Sequence, residues 1–203
     1  MSKPLIIYIG GLPGMGKTSY MAQIAREFGI GIALSGDYLR EFVKQNVPKD
    51  GRYGILDYSV YDAWKAFGEK NDENIIKGYI KQGEVFNNGI DALVERAKKN
   101  GESVIIESLY FIPEQIKSLK DPDVIKFYIH ISDKDTYKKR LGERAAYTHP
   151  NSPGDRLIKE IDIYMRIMDH SVKAAKSHGI KTFDNVDYTK TRDEIMKYIK
   201  ENQ

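Results

Sequence analysis

Apolar residues along this chain fall into two rhythms, short unbroken runs and three-to-four spacing, and the two alternate along its length. The runs Leu5-Ile-Ile-Tyr-Ile9, Gly29-Ile-Gly-Ile-Ala-Leu-Ser35, Ser103-Val-Ile-Ile-Glu107, Ile125-Lys-Phe-Tyr-Ile-His-Ile131 and Ile180-Lys-Thr-Phe183 predict five short buried strands. Between and after them, helical spacing predicts helices over 17–28, 38–45, 72–100, 133–146, 155–178 and 192–201. The long helix places Ile76, Ile80, Ile90, Leu93 and Ala97 on one face, with Tyr79, Phe86 and Val94 beside it. Asp37 is placed to open the second helix, Gly101 and Gly179 to stop two others, and Thr191 with Glu194 resembles a capping box ahead of the last. Residues 46–57, rich in Gly, Pro, Lys and Asp, predict an irregular surface connection, 60–67 a short helix, and 148–154 a turn.

The first strand runs into Gly11-Leu-Pro-Gly-Met-Gly16-Lys17-Thr18, which matches G-x-x-x-x-G-K-[ST] in the strand-loop-helix setting that motif requires. Gly11, Gly14 and Gly16 let the backbone bend around a phosphate with its N–H groups inward, Lys17 supplies a cation and Thr18 a hydroxyl for Mg²⁺. The following helix points its positive end at the same anion, so Met15 and Ser19 complete a set of ATP-binding positions. Together with strand-helix alternation this predicts an α/β chain of the P-loop NTPase fold, a five-stranded parallel sheet with helices on both faces and a helical lid. At 203 residues the chain reads as one domain over 1–203, with the lid at 133–156. Ligands collect at the carboxyl ends of such strands, where the phosphate loop, Asp37, Glu107 and the loop after Phe183 all fall.

Composition narrows the partners. Charged residues at 30%, of mixed sign, and a net charge of +3 describe an ordinary globular surface. The lysines are scattered along helices, so a small anionic, phosphorylated substrate is the expected partner, with an RNA acceptor as the alternative. The absence of cysteine excludes disulfides, thiolate metal sites and a cysteine nucleophile, and points to the reducing cytoplasm. No run approaches the ~18 apolar residues that a membrane span needs. The four histidines have no metal-ligand spacing, and Tyr61, Trp64 and Phe67 read as a packing cluster.

Phosphoryl transfer asks for positioned cations around the transferred group and a carboxylate that orients the acceptor. Lys17 supplies one cation, and Arg140, Arg144 and Arg156 either close over the transfer site from the lid or pair with Asp135 and Glu143 on a solvated helix face. Asp37 either orients an acceptor hydroxyl or caps its helix, and Arg40, one turn on, holds an anionic acceptor or pairs with Asp37 and Glu41. Glu107 either joins Thr18 in the Mg²⁺ shell, through water, or caps a buried strand end against a cation.

Beyond the loop, the stretches Ser35-Gly-Asp37-Tyr-Leu-Arg40-Glu, Ser59-Val-Tyr-Asp-Ala-Trp-Lys65, Ile75-Ile-Lys-Gly-Tyr-Ile-Lys-Gln82, Val104-Ile-Ile-Glu107 and Glu143-Arg144-Ala145 resemble archaeal-type 2-phosphoglycerate kinases. The resemblance covers most of the chain and implies ATP-dependent phosphorylation of the 3-hydroxyl of 2-phosphoglycerate. Arg40, Arg52 and the lid arginines would then face the acceptor's carboxylate and phosphate, and Asn185 would help to form the adenine pocket. Where this family commonly has Gly after the strand-end glutamate, the chain has Ser108, followed by Leu109 and Tyr110, which changes the acceptor wall. The same fold also serves kinases of nucleoside monophosphates, sugar acids or aminoacyl-tRNA, and non-transferring switches.

Overall fold

A computed structural model describes residues 3–147, 150–151 and 154–203. Its five strands, β1 (Ile6–Gly10), β2 (Ile32–Ser35), β3 (Val104–Ser108), β4 (Val124–His130) and β5 (Lys181–Asp184), form one parallel sheet in the order β2-β3-β1-β4-β5. Every residue of β1 and β3 is buried, as the apolar runs predict. β2 departs from its predicted burial: it is the sheet edge, and Ile32 and Ala33 are exposed.

Seven helices surround the sheet among the described residues: α1 (Lys17–Glu27), α2 (Gly36–Asn46), α3 (Asp72–Asn100), α4 (Lys134–Tyr147), α5 (Asp155–Lys159), α6 (Ile161–Ser177) and α7 (Tyr188–Glu201). Alternate residues of a strand face opposite sides, so neighbours in β4 seed two aromatic clusters. Tyr128 packs on Phe111, which stacks in turn on Tyr8, while Phe127 packs edge-to-face with Phe183 of β5 and Tyr198 of α7.

α3 keeps its predicted limits because both ends are capped. The Asn71 side chain accepts from the Asn74 N–H at 2.8 Å, and Gly101 turns left-handed at φ 68°. Its buried stripe is rotated from the expected one and runs through Ile75, Tyr79, Phe86, Ile90, Val94 and Ala97, leaving Ile76, Ile80 and Leu93 on its flank. Gly78 lies where α3 meets the backbone of residues 63–64: a Cβ there would stand 2.6 Å from the Ala63 carbonyl carbon and 2.8 Å from the Trp64 nitrogen.

Other limits differ for physical reasons. The helix expected over 155–178 breaks at Glu160, whose φ and ψ of −105° and 20° leave the helical region. α7 begins ahead of the expected capping box, with the Asp187 side chain accepting from the Lys190 N–H at 3.0 Å. Thr191 is buried, and its hydroxyl donates to the Asp184 carbonyl at 3.1 Å. Within the expected irregular connection, Gly51–Asp57 forms a short 3-10 helix that buries Ile55 and Leu56. Part of the turn expected over 148–154, namely 148–149 and 152–153, lies outside the described residues.

Candidate active site

The phosphate loop takes its curvature from two glycines in the left-handed region, Gly14 at φ 81° and Gly16 at φ 86°, a conformation that side chains disfavour. Its tip is held from outside by α4. The Tyr137 hydroxyl donates to the Pro13 carbonyl at 2.9 Å, and a Cβ on Gly14 would stand 2.8 Å from a methyl of Leu141. Met15 turns its side chain fully into the core and offers the loop only its backbone. Asn185 is also fully buried: its amide donates to the Met15 carbonyl at 3.0 Å and accepts the Tyr20 hydroxyl at 2.7 Å. It braces the loop from β5 and lines neither of the cavities described below.

Lys17 is buried beneath the loop, its Nζ 3.4 Å from Glu107 Oε2 and 3.3 Å from the Leu12 carbonyl. Glu107, also buried, accepts the Ser35 hydroxyl at 2.7 Å on its other oxygen. Register brings this about, since Ser35 of β2 pairs directly with Glu107 of β3. α2 then begins with no intervening loop, and Gly36 permits it: a Cβ there would stand 2.6 Å from the Glu107 carbonyl oxygen. Asp37 follows at the carboxyl end of the sheet without capping its helix, whose N-cap is Ser35.

Two cavities meet at this point. The first, about 430 Å³, is lined by Gly14, Gly16, Lys17, Thr18 and Ser19 of the loop and α1, by Arg140 and Arg144 of α4, and by Tyr188. The second, about 300 Å³, joins Arg40, Arg144 and Arg156 to Val60, Tyr61, Tyr110 and Tyr164. Pro13, Asp37 and Arg144 belong to both. Burial pulls the Arg144 guanidinium below its ordinary pKa, and the Asp37 carboxylate counters this.

The site residues expected from sequence therefore divide. The loop residues, Asp37 and Arg144 come together, Arg140 joins them in the first cavity and Arg40 and Arg156 in the second. Asp135 and Glu143 pair with Lys138 and Lys139, so the α4 arginines are not engaged by the acids expected to hold them. Arg140 instead lies 5.6 Å over the ring of Tyr188, which stacks on Tyr20. Arg52 is exposed, rests on the neighbouring Tyr53 and lines neither cavity. Arg40 does bond Glu41, and spends its other bonds on Tyr110 and the Leu56 and Tyr58 carbonyls. Of the aromatic cluster expected around Trp64, Tyr61 and Trp64 pack against the main core and Phe67 against a smaller one, and Tyr61 also walls the second cavity.

Sequence reasoning missed Ser35, Gln82, Tyr164 and Tyr188. Tyr188 had a legible signal, standing just past the carboxyl end of the fifth strand, where this fold gathers its ligands. Thr18 opens on the first cavity at the head of α1, and among the described residues no group of three or more His, Asp or Glu could hold a metal alone. A hydroxyl on a cavity that also carries the Asp37 and Glu143 carboxylates suits Mg²⁺ held mainly by phosphate oxygens and water.

The AAA_17 family, described as an AAA domain, matches residues 10–152. A mevalonate-3-phosphate 5-kinase of Thermoplasma acidophilum is 43% identical over 94% of this chain and 93% of that protein. A 2-phosphoglycerate kinase of Methanopyrus kandleri is 30% identical over 97% of this chain, which spans only 61% of that longer protein. Among solved structures, a shikimate kinase of Bacteroides thetaiotaomicron aligns with a TM-score of 0.57 at 13% identity, covering 97% of this chain and 98% of that one, a likeness of fold. Among the described residues, no helix is long and apolar enough to cross a membrane.

Proposed function

The chain belongs to the AAA_17 family, among archaeal phosphate-loop kinases, and on that premise we propose that it transfers the γ-phosphoryl group of ATP to an alcohol of mevalonate 3-phosphate. The observation that carries this reading is Asp37, standing on the wall common to two cavities, the one built on the phosphate loop and the other outside it. A phosphoryl donor in the first and an alcohol in the second meet there.

In this reading the loop N–H groups and Lys17 hold the β- and γ-phosphates, drawing Lys17 partly away from Glu107. Asp37 accepts the acceptor hydroxyl proton as its oxygen bonds to the γ-phosphorus and the bond to the β-phosphate oxygen breaks. Arg144 neutralises charge on the group in flight, while Arg140 with Tyr188, both confined to the first cavity, flank the base. Bound Mg²⁺ would be held by Thr18, with Glu107 through water, and would supply positive charge to offset that of the phosphates.

The acceptor is chosen on the second cavity. Arg144 and Arg156 suit a carboxylate and a phosphate, and the cavity's aromatic and aliphatic side, with Val60, Tyr61 and Tyr164, suits a methyl-branched carbon chain. 2-Phosphoglycerate has no apolar part to place there. It remains the second reading, supported by the Tyr-Asp-Ala-Trp-Lys and Ile-Ile-Lys-Gly stretches and by the Methanopyrus relative.

The test is ADP release by purified protein with Mg²⁺ and ATP, offered mevalonate 3-phosphate, 2-phosphoglycerate, shikimate, gluconate or nucleoside monophosphates, with Lys17→Ala as the blank. The expected result is a kcat/KM for mevalonate 3-phosphate above that for every other acceptor. A higher value for 2-phosphoglycerate would move the assignment to the second reading, and no turnover on any of them would end the small-molecule kinase reading.

A further inference from the structure

Gln82 lies at mid-length of α3, fully buried, and touches neither cavity. A polar side chain shut away from water is costly unless its bonds are satisfied, and those of Gln82 go to Tyr110 on the wall of the second cavity and to two carbonyls just ahead of the wall residues 59–61. Its amide nitrogen donates to the Ile55 carbonyl at 2.9 Å and to the Tyr58 carbonyl at 2.8 Å. Its amide oxygen accepts the Tyr110 hydroxyl at 3.1 Å. That hydroxyl accepts Arg40 Nε, also at 3.1 Å, and the same guanidinium donates back to the Leu56 and Tyr58 carbonyls.

The carbonyls concerned are those at the end of the 3-10 helix Gly51–Asp57, which no helical N–H can satisfy. Immediately after them the chain supplies Ser59, Val60 and Tyr61 to the cavity wall. Tyr110 carries the wall that follows β3, and Arg40 lies one turn beyond Asp37 on α2. One buried amide thus ties together three separately encoded walls, from α2, from residues 59–61 and from residues 109–110. Burial pushes the Tyr110 hydroxyl up to about 12, against the opposing pull of Arg40, so the link does not titrate at neutral pH.

We infer that Gln82 is a positioning residue for the acceptor: it sets the width of the second cavity and the place of its wall relative to Asp37, without contacting substrate. The inference rests on the second cavity being the acceptor site. A clamp on one cavity alone changes acceptor binding and acceptor choice, whereas general loss of stability touches both substrates alike.

The test uses Gln82→Met, which keeps most of the volume and removes all three bonds, and Tyr110→Phe, which keeps the ring and breaks the link between Gln82 and Arg40. The expected result in Gln82→Met is an acceptor KM raised by about tenfold or more, with the KM for ATP within about twofold, and a narrowed preference among the acceptors above; Tyr110→Phe moves the same way by less. Hydrogen exchange of the amides in 55–61 rises in both variants while that of the phosphate loop does not, and this reads the clamp without turnover. Unchanged acceptor KM in an active Gln82→Met, equal rises in both KM values, or unchanged exchange in 55–61 would each overturn the inference. Failure of the acceptor assignment is seen separately, in the wild-type acceptor comparison.

Discussion

In the proposed transfer Lys17 serves the donor and Asp37 the acceptor, and substitutions should separate them. Lys17→Ala is expected to lower kcat/KM by at least about a hundredfold with unchanged circular dichroism, because the cation that the proposal sets against the phosphates is lost. Asp37→Asn keeps size and hydrogen bonding but cannot take the proton, so kcat should fall by about 10²–10⁴-fold with the KM for ATP little changed, as steady-state kinetics would read. The two α4 arginines should differ in kind. Arg144→Lys, on the wall of both cavities, is expected to lower kcat, whereas Arg140→Lys should mainly raise the KM for ATP by a few-fold as its contact with Tyr188 weakens. The loop residues and Asp37 were legible in the sequence because a fixed-spacing motif and the strand-end rule place them without knowledge of partners, whereas Arg144 was legible only as one of three arginines on the expected lid. Ser35 and Gln82 were not, because a serine or a glutamine acquires its role only from what the topology sets opposite it: Glu107 across the sheet for one, the carbonyls of a remote turn for the other.

Elements were legible where local chemistry marks both ends, as at α3, and blurred where tertiary contacts decide. β2 and β3 read alike as apolar runs, yet their place in the strand order leaves one at the edge and the other buried. The segment after β3 gave no periodic signal, although Tyr110, Phe111, Ile112, Ile116 and Leu119 are all buried, because an irregular backbone has no period to display. Two glycines of α3 make the distinction testable. At Gly89 nothing lies within 4 Å of a built Cβ, so Gly89→Ala should stabilise the protein by up to about 1 kcal/mol through helix propensity. At Gly78 the neighbours are backbone atoms that cannot move aside, so Gly78→Ala should destabilise by about 1–3 kcal/mol, with opposite shifts of Tm in thermal melts.

Across the whole molecule, α/β class, parallel pairing and the gathering of the site at one sheet end follow from strand-helix alternation, whereas the meeting of two cavities depends on how α4, α5 and α6 return over the sheet. The molecule should also carry a defined acid sensitivity. Burial holds His130 and His170 below the ordinary value of 6.5, against the partial support of Asp184 and Glu114 respectively. The unfolded chain takes up these protons first, so their contribution to stability is whole above about pH 6.5 and is lost as pH falls toward the lowered folded values. Thermal melts across that window should show a smaller loss in His130→Asn than in the parent. A ligand in the first cavity changes the charge facing Arg144 and Asp37, and so changes the medium in which a ligand in the second is held. Linkage makes this reciprocal: whatever factor the nucleotide applies to acceptor affinity, the acceptor must apply to nucleotide affinity. Two equilibrium titrations, each run with and without the other ligand, must therefore close on one coupling free energy, and its sign tells whether the pair is recruited together or kept apart until transfer.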